Sequence, residues 1–215
     1  ISTLKAMNLQ IPIQVVFAIN ESIDYYPEMT KDIDIWTPSL YTIRDADIHY
    51  QQGRGKEIWS YVCTGGNPLV PNKPNHDRWF LLQNFKKGST GFLNWGLNYW
   101  GNVSSDLWAK DIYDGYGNYD NSAIGQGDGV LMYPDATASI RLKGLLRGVE
   151  DYQYAWMLRD LYSKAGKNVS EPLANKVEEL LAMNKLMGQI SAGDSDCIDR
   201  WRDDVCEAIL QLQKR

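Results

Sequence analysis

Four short apolar segments alternate with stretches of helical spacing over the first 100 residues, and this alternation narrows the possible folds sharply. The segments cover residues 13–19, 33–37, 57–63 and 91–98, and each contains aromatic or β-branched side chains. Apolar runs of this length are typical of strands that are buried on both faces. Strands that alternate with helices favour βα units and a parallel sheet. The sequence therefore predicts an α/β fold.

Helical spacing is found between the strands and through the last 80 or so residues. Residues 41–52 and 77–87 are each followed by glycine, which commonly ends a helix. A further helix is predicted from about residue 137, and two more are predicted from Ser170 and from about Asp194. The apolar positions of the first of these three recur at helical intervals and are expected to share one buried face; they are Leu145, Val149, Tyr152 and Trp156. We interpret all three helices as packing elements.

The charge balance and the rare residues exclude several classes of function. The 22 Lys and Arg against 27 Asp and Glu give a net charge of −5, which disfavours a nucleic-acid partner because phosphate neutralisation needs a basic face. No apolar run approaches the ~20 residues of a membrane span. Two His and three Cys leave little material for a metal site or a Ser-His-Asp triad. We expect no metal, no cofactor, no nucleic acid and no membrane span.

The aromatic residues are unusual, with eight Trp and thirteen Tyr against four Phe. Trp and Tyr combine a flat apolar face with a polar group, which suits interfaces and sugar-binding clefts, although any one ring also suits a core. In a βα barrel the active site lies at the carboxyl ends of the strands. The aromatic and amide side chains at these predicted ends form the candidate substrate-binding set: Trp36, Tyr61, Trp95, Asn98 and Trp100.

The remaining polar candidates carry weaker signals. Residues 101–135 form a long, turn-rich segment in which Asp128 stands between two glycines, where it either tightens a turn or reaches a ligand. We include Asp128 among the candidate substrate-binding residues. The adjacent pair Glu150-Asp151 lies inside a predicted helix, where neighbours point about 100° apart, and is interpreted as structural. His49 and His76 are interpreted as surface or capping residues.

Several of these motifs together resemble glycoside hydrolase family 123 and its uncharacterised relatives. They are residues 57–63, Arg78-Trp79, residues 91–100, residues 127–134, residues 139–142 and residues 147–154, in this order. The resemblance covers nearly the whole chain and is best from residue 11 to about 163. It implies a (β/α)8 barrel that removes terminal β-linked N-acetylgalactosamine or a similar N-acetylhexosamine, and it favours a periplasmic or secreted location.

The family implies substrate-assisted, retaining catalysis, in which the 2-acetamido group attacks the anomeric carbon. An Asp orients that group and the adjacent Glu protonates the leaving oxygen. No Asp-Glu dipeptide occurs in these 215 residues, so none of their side chains is expected to be catalytic. We expect the pair to precede Ile1 and this chain alone to be inactive. A non-catalytic carbohydrate-binding protein and a structural relative remain alternatives.

The four predicted strands would then be the fifth to eighth of the barrel. We expect residues 1–135 to form the C-terminal half of the barrel, with a long loop after its last strand, and residues 136–215 to form helices that pack on it. A half-barrel exposes two sheet edges, which is an aggregation hazard. The expected partners are therefore a carbohydrate substrate and either the N-terminal half of the same enzyme or a second copy of the chain.

Overall fold

The computed structural model describes residues 11–17, 31–40, 43–62, 76–98, 129–133 and 135–214. The strands in this part of the chain are β1 (Gln14–Phe17), β2 (Ile35–Pro38), β3 (Glu57–Val62) and β4 (Gly91–Asn94). The α-helices are α1 (Asp45–Gly53), α2 (His76–Lys87), α3 (Ile140–Ala165), α4 (Glu171–Ala182), α5 (Asn184–Ser191) and α6 (Cys197–Gln213). None of these helices is long and apolar enough to cross a membrane.

The four strands form one sheet in the order β1-β2-β3-β4, and every pair is parallel. This confirms the predicted α/β fold with a parallel sheet. Within the described residues, β2 begins at Ile35 rather than at residue 33, and β4 ends at Asn94 rather than at residue 98. The Asn94 side-chain Nδ2 donates a hydrogen bond to the Gly96 carbonyl at 2.6 Å, which bends the chain out of the extended conformation.

The strand register assigns side chains to the two faces of the sheet. Val15, Trp36 and Ile58 are aligned across β1, β2 and β3, so they lie on one face. Trp36 and Ile58 are buried with Ile48 of α1 in one apolar cluster. The first face of the sheet therefore packs against α1. We call the opposite face, which carries Trp59, Tyr61 and Leu93, the open face, to distinguish it from the face that forms the apolar cluster with α1.

Two compact units divide the chain, one made of residues 1–70 and 87–139 and the other of residues 71–86 and 140–215. The first unit contains the sheet and α1. The second contains α2 up to residue 86 together with α3 to α6, and its core joins Leu82 and Phe85 to apolar side chains of all four later helices. The division expected at residue 135 stays a prediction.

The prediction of which face of α3 is buried is wrong in part. Leu145 is buried, but Val149 and Trp156 are 42% and 50% exposed. Two glycines explain the different orientation of the helix: a Cβ atom on Gly144 would lie 2.9 Å from Asp77 Cβ, and one on Gly148 would lie 3.1 Å from Arg78 Cα. The glycine side of α3 therefore approaches α2 closely, and this contact turns Val149 and Trp156 outward.

The helix predicted from Ser170 is divided in two. Its apolar spacing continues through Met187, but Met183 adopts a left-handed conformation with φ 56° between α4 and α5. The Met183 N–H donates to the Glu179 carbonyl and closes the last turn of α4. A non-glycine residue in this conformation is uncommon, so sequence spacing alone does not reveal the break.

Candidate functional site

The carboxyl ends of β2, β3 and β4 bring three side-chain positions into one row. Tyr61 is aligned with Leu93 of β4 on one side and with Ser39, just after β2, on the other. The Leu40 N–H donates to the Tyr61 carbonyl at 2.9 Å, which ties the end of β2 to β3. Tyr61 is half-buried and lies on the open face of the sheet.

Trp95 and Gly96 follow β4 directly and meet a second segment, residues 129–132. The Leu131 and Met132 N–H groups both donate to the Leu97 carbonyl, at 2.7 and 2.9 Å. Asn98 and Val130 form an antiparallel bridge. These bonds hold the segment beside the end of β4, and the half-buried Trp95 lies against it.

Trp36 lies in a different environment from the other candidates. It is 3% exposed, belongs to the cluster that packs against α1, and makes an edge-to-face contact with Phe17 at a centroid distance of 5.4 Å. Trp36 therefore serves as a core side chain on the face opposite Tyr61. The structure brings Tyr61, Trp95 and Asn98 to the carboxyl ends of the strands and places Trp36 away from them.

Asn98 is exposed after β4. His49 is exposed on α1, and His76 is the first residue of α2. Trp100 and Asp128 lie outside the described residues.

Trp59 is an open-face aromatic residue that the sequence analysis did not single out. A Cβ atom on Gly91 would lie 2.3 Å from Trp59 Cδ2, so the indole lies flat over the glycine of the neighbouring strand. Its Nε1 donates to Glu57 Oε1 at 2.9 Å, and Thr90 Oγ1 donates to the same oxygen at 2.8 Å. These two bonds lower the pKa of Glu57. The signal was present in the sequence, because Trp59 precedes Tyr61 by two residues and so shares its face.

The Glu150-Asp151 pair lies in the second unit, residues 71–86 and 140–215, which we call the helical unit, and is part of an ion-pair cluster. Asp151 is fully buried, and its carboxylate accepts hydrogen bonds from Arg78 Nε at 2.7 Å and from Arg202 Nε at 2.6 Å. Glu150 is exposed and lies 3.3 Å from Arg202 Nη1. With all of its charge neutralised by two guanidinium groups, Asp151 serves a structural role.

Asp77, in the first turn of α2, is a second buried carboxyl group of the helical unit. Its side chain is 7% exposed, and its Oδ1 has no hydrogen-bond partner among the described residues. Burial raises the pKa of Asp77 to about 7, and the Arg141 charge opposes this shift only partly. Within the described ranges, no group of three or more His, Cys, Asp or Glu side chains is arranged to hold a metal ion.

Comparison with known families defines the class of protein. The family described as glycoside hydrolase 123, catalytic domain, matches residues 3–158, which is most of the chain. The chain belongs to this family. This confirms the resemblance drawn from its motifs.

Structural comparison gives the same result at the level of the fold. The chain is similar to a family 123 glycoside hydrolase from Clostridium perfringens, whose structure was analysed for the details of glycolipid glycan hydrolysis. The TM-score is 0.55 at 16% sequence identity, and the match covers 95% of this chain but 35% of that one. The chain thus spans about a third of the length of the structure it matches. A search of curated proteins found no match.

Proposed function

We propose that this chain is the sugar-binding part of a glycoside hydrolase that removes terminal β-linked N-acetylhexosamine residues, such as N-acetylgalactosamine. The observation that carries the proposal is the family match over residues 3–158. The carboxyl ends of the parallel strands support it, because the half-buried Tyr61 lies at the end of β3 and the half-buried Trp95 directly follows β4. Aromatic rings of this kind stack on the apolar face of a pyranose.

In the proposed reaction the substrate supplies its own nucleophile. The 2-acetamido carbonyl oxygen bonds to the anomeric carbon while the glycosidic C–O bond breaks, and a Glu proton goes to the leaving oxygen. Water then opens the cyclic intermediate with retention of configuration. The Asp and Glu of this scheme belong to a segment outside these 215 residues, since no Asp-Glu dipeptide occurs in them. The role of this chain is to bind and orient the sugar through Tyr61, Trp95 and Asn98.

We also propose that the four-stranded sheet is half of a (β/α)8 barrel. In such a barrel the helices form an outer ring and the inner side chains fill the interior. The arrangement of the first unit is compatible with this, because α1 packs on one face of the sheet and the aromatic side chains of β3 lie on the other face. The other half of the barrel would come from the same enzyme or from a second copy of the chain.

A non-catalytic carbohydrate-binding or structural protein is the second candidate. The absence of an Asp-Glu dipeptide favours it, because the same aromatic surface could bind a sugar without cleaving it. The two candidates differ in whether the complete gene product hydrolyses a glycoside.

The deciding experiment compares the 215-residue chain with the complete product of its gene on an aryl N-acetyl-β-galactosaminide. We expect the complete protein to release the aryl group and the chain alone to release none. The matched control is the corresponding aryl β-galactoside, which lacks the acetamido nucleophile and should not be turned over. Turnover by the isolated chain would refute the proposed division of the site. Sugar binding without turnover by the complete protein would establish the second candidate.

A further inference from the structure

Gly129 and Trp95 are in direct contact with no side chain between them. Gly129 adopts a left-handed conformation with φ +73°, and a Cβ atom built on it would lie 2.6 Å from Trp95 Cζ2 and 2.8 Å from Cη2. Gly96 contributes a second close approach, because its own Cβ would lie 2.8 Å from Gly129 Cα. Contacts below 3.0 Å essentially never occur for real Cβ atoms, so a side chain at position 129 would displace the indole.

The backbone on both sides of this contact is held in place. The backbone N–H groups of residues 131 and 132 donate hydrogen bonds to the Leu97 carbonyl, and Asn98 forms an antiparallel β-bridge with Val130. The Asn94 side chain fixes the Gly96 carbonyl at 2.6 Å. The two segments are therefore tied together within a few residues of the contact on either side. A clash at position 129 would be relieved most easily by rotation of the Trp95 side chain.

We propose that Gly129 is a positioning residue of the carbohydrate site, which sets the plane of the Trp95 indole against which a pyranose ring stacks. This inference rests on the proposed function of the chain. Stacking depends on the orientation of the aromatic plane as well as on its presence, so a site that binds a sugar benefits from a ring held in one orientation. A glycine is required at this position both for its positive φ and for the close approach of the ring.

The test is Gly129→Ala in the complete gene product. We expect KM for the aryl N-acetyl-β-galactosaminide to rise by about tenfold, with a smaller change in kcat, because the indole is turned from the stacking orientation. Gly55→Ala is the matched control. Gly55 has almost the same conformation, with φ +74°, but a Cβ atom there meets nothing within 4 Å. It therefore adds the same backbone strain without touching an aromatic ring, and its KM should be unchanged.

A second pair of variants tests whether Gly129 acts through Trp95. A phenyl ring does not extend to the Cζ2 and Cη2 positions, so Trp95→Phe makes room for a methyl group at position 129. We expect Gly129→Ala to change KM by less than about twofold in the Trp95→Phe background, because coupled residues are not additive. This comparison also remains informative if Gly129→Ala alone folds poorly.

A spectroscopic readout separates positioning from a general loss of structure. In protein labelled with 5-fluorotryptophan, the Trp95 resonance is assigned by its loss in Trp95→Phe. We expect N-acetylgalactosamine to shift this resonance in the unmodified sequence and in Gly55→Ala, but not in Gly129→Ala. Equal KM and equal sugar-induced shifts in Gly129→Ala and Gly55→Ala would overturn the inference while leaving the proposed function intact. An unchanged KM in Trp95→Ala would overturn the proposed sugar site and the inference with it.

Discussion

Arg78 and Asp151 form a bidentate ion pair, although they lie 73 residues apart in the sequence. Arg78 Nε and Nη2 donate to the two carboxylate oxygens of Asp151 at 2.7 and 3.1 Å. Asp151 is fully buried and the Arg78 side chain is 7% exposed. Arg202 of α6 donates to the same carboxylate, so one buried charge joins α2, α3 and α6. Both members of the pair lie within residues 3–158, which match family 123, and their contacts hold the three helices together.

We predict that Asp151→Ala lowers the free energy of unfolding by about 3–5 kcal/mol, because it removes the buried partner of Arg78 and leaves that guanidinium only its bond to the exposed Asp199. The measurement is chemical denaturation monitored by circular dichroism. Glu150→Ala is the matched control, since this exposed neighbour pairs with Arg202 at the surface and should cost about 0–1 kcal/mol. Equal effects of the two substitutions would contradict the structural role of Asp151.

Asp77 gives the helical unit a specific pH dependence. Its pKa is raised from 3.8 to about 7, mainly by burial, so the folded state retains a proton that the unfolded state releases above about pH 4. The stability of the unit should therefore fall as the pH rises from about 4 to about 7, and become independent of this group above that range.

We predict that Asp77→Asn removes this loss, because an amide of the same shape carries no charge at any pH. The melting temperature of the variant should equal that of the unmodified chain near pH 4 and exceed it above pH 7. Asp135→Asn is a control of opposite sign, because the Thr137 N–H donates to the Asp135 carboxylate and lowers its pKa. A pH profile of Asp77→Asn that parallels the unmodified chain would refute the prediction.

Residue types alone were enough to predict the parallel sheet and most of the helices. They did not determine which face of a strand packs against a helix. Alternation shows which side chains share a face, but it does not show which of the two faces is covered. Trp36 and Tyr61 were thus predicted to share a site, yet their strands present them on opposite faces. The orientation of α3 was predicted wrongly in part for a related reason, since the contacts of Gly144 and Gly148 with α2 depend on tertiary structure.

The end of β4 shows a second limit of sequence reasoning. Simple alternation puts Trp95 and Asn98 on opposite faces of a continuous strand, so both could belong to one site only if the strand bulged near Gly96 or ended before Asn98. The structure ends the strand at Asn94, through the side-chain bond to Gly96. A single asparagine hydrogen bond of this kind has no periodic signal in the sequence.

The proposed roles of Trp95 in the sugar site and of Trp36 in the core can be distinguished by experiment. We predict that Trp95→Ala in the complete protein lowers kcat/KM by about tenfold or more, where each tenfold corresponds to ~1.4 kcal/mol, and changes the melting temperature little. Trp36→Ala should instead destabilise the fold by about 3–5 kcal/mol, because it empties a packed core position. Measuring both kinetics and thermal unfolding for each variant tests the assignment. If Trp95→Ala lowers only the stability, Trp95 is a core residue.

The two edges of the sheet lead us to predict that the chain associates with another polypeptide. In the described part of the chain β1 and β4 each pair with one strand only, so each leaves a row of backbone groups without a strand partner. Unpaired backbone groups cost on the order of 1–3 kcal/mol each once they are buried, and exposed edges invite association with another chain. We predict that the isolated chain is found with these edges covered, either as a self-associated species or bound to the rest of its barrel.

Native mass spectrometry and light scattering measure this directly. Val16→Lys should weaken the association, because Val16 is 42% exposed on the open face of β1, where a closed barrel would bury its charge. Leu210→Lys is the matched control, since Leu210 is 55% exposed on α6 of the helical unit and its replacement should leave the association unchanged. A stable monomer at all concentrations would contradict the half-barrel and indicate a self-contained α/β domain. Equal effects of the two lysine substitutions would show that the association does not involve the open face of the sheet.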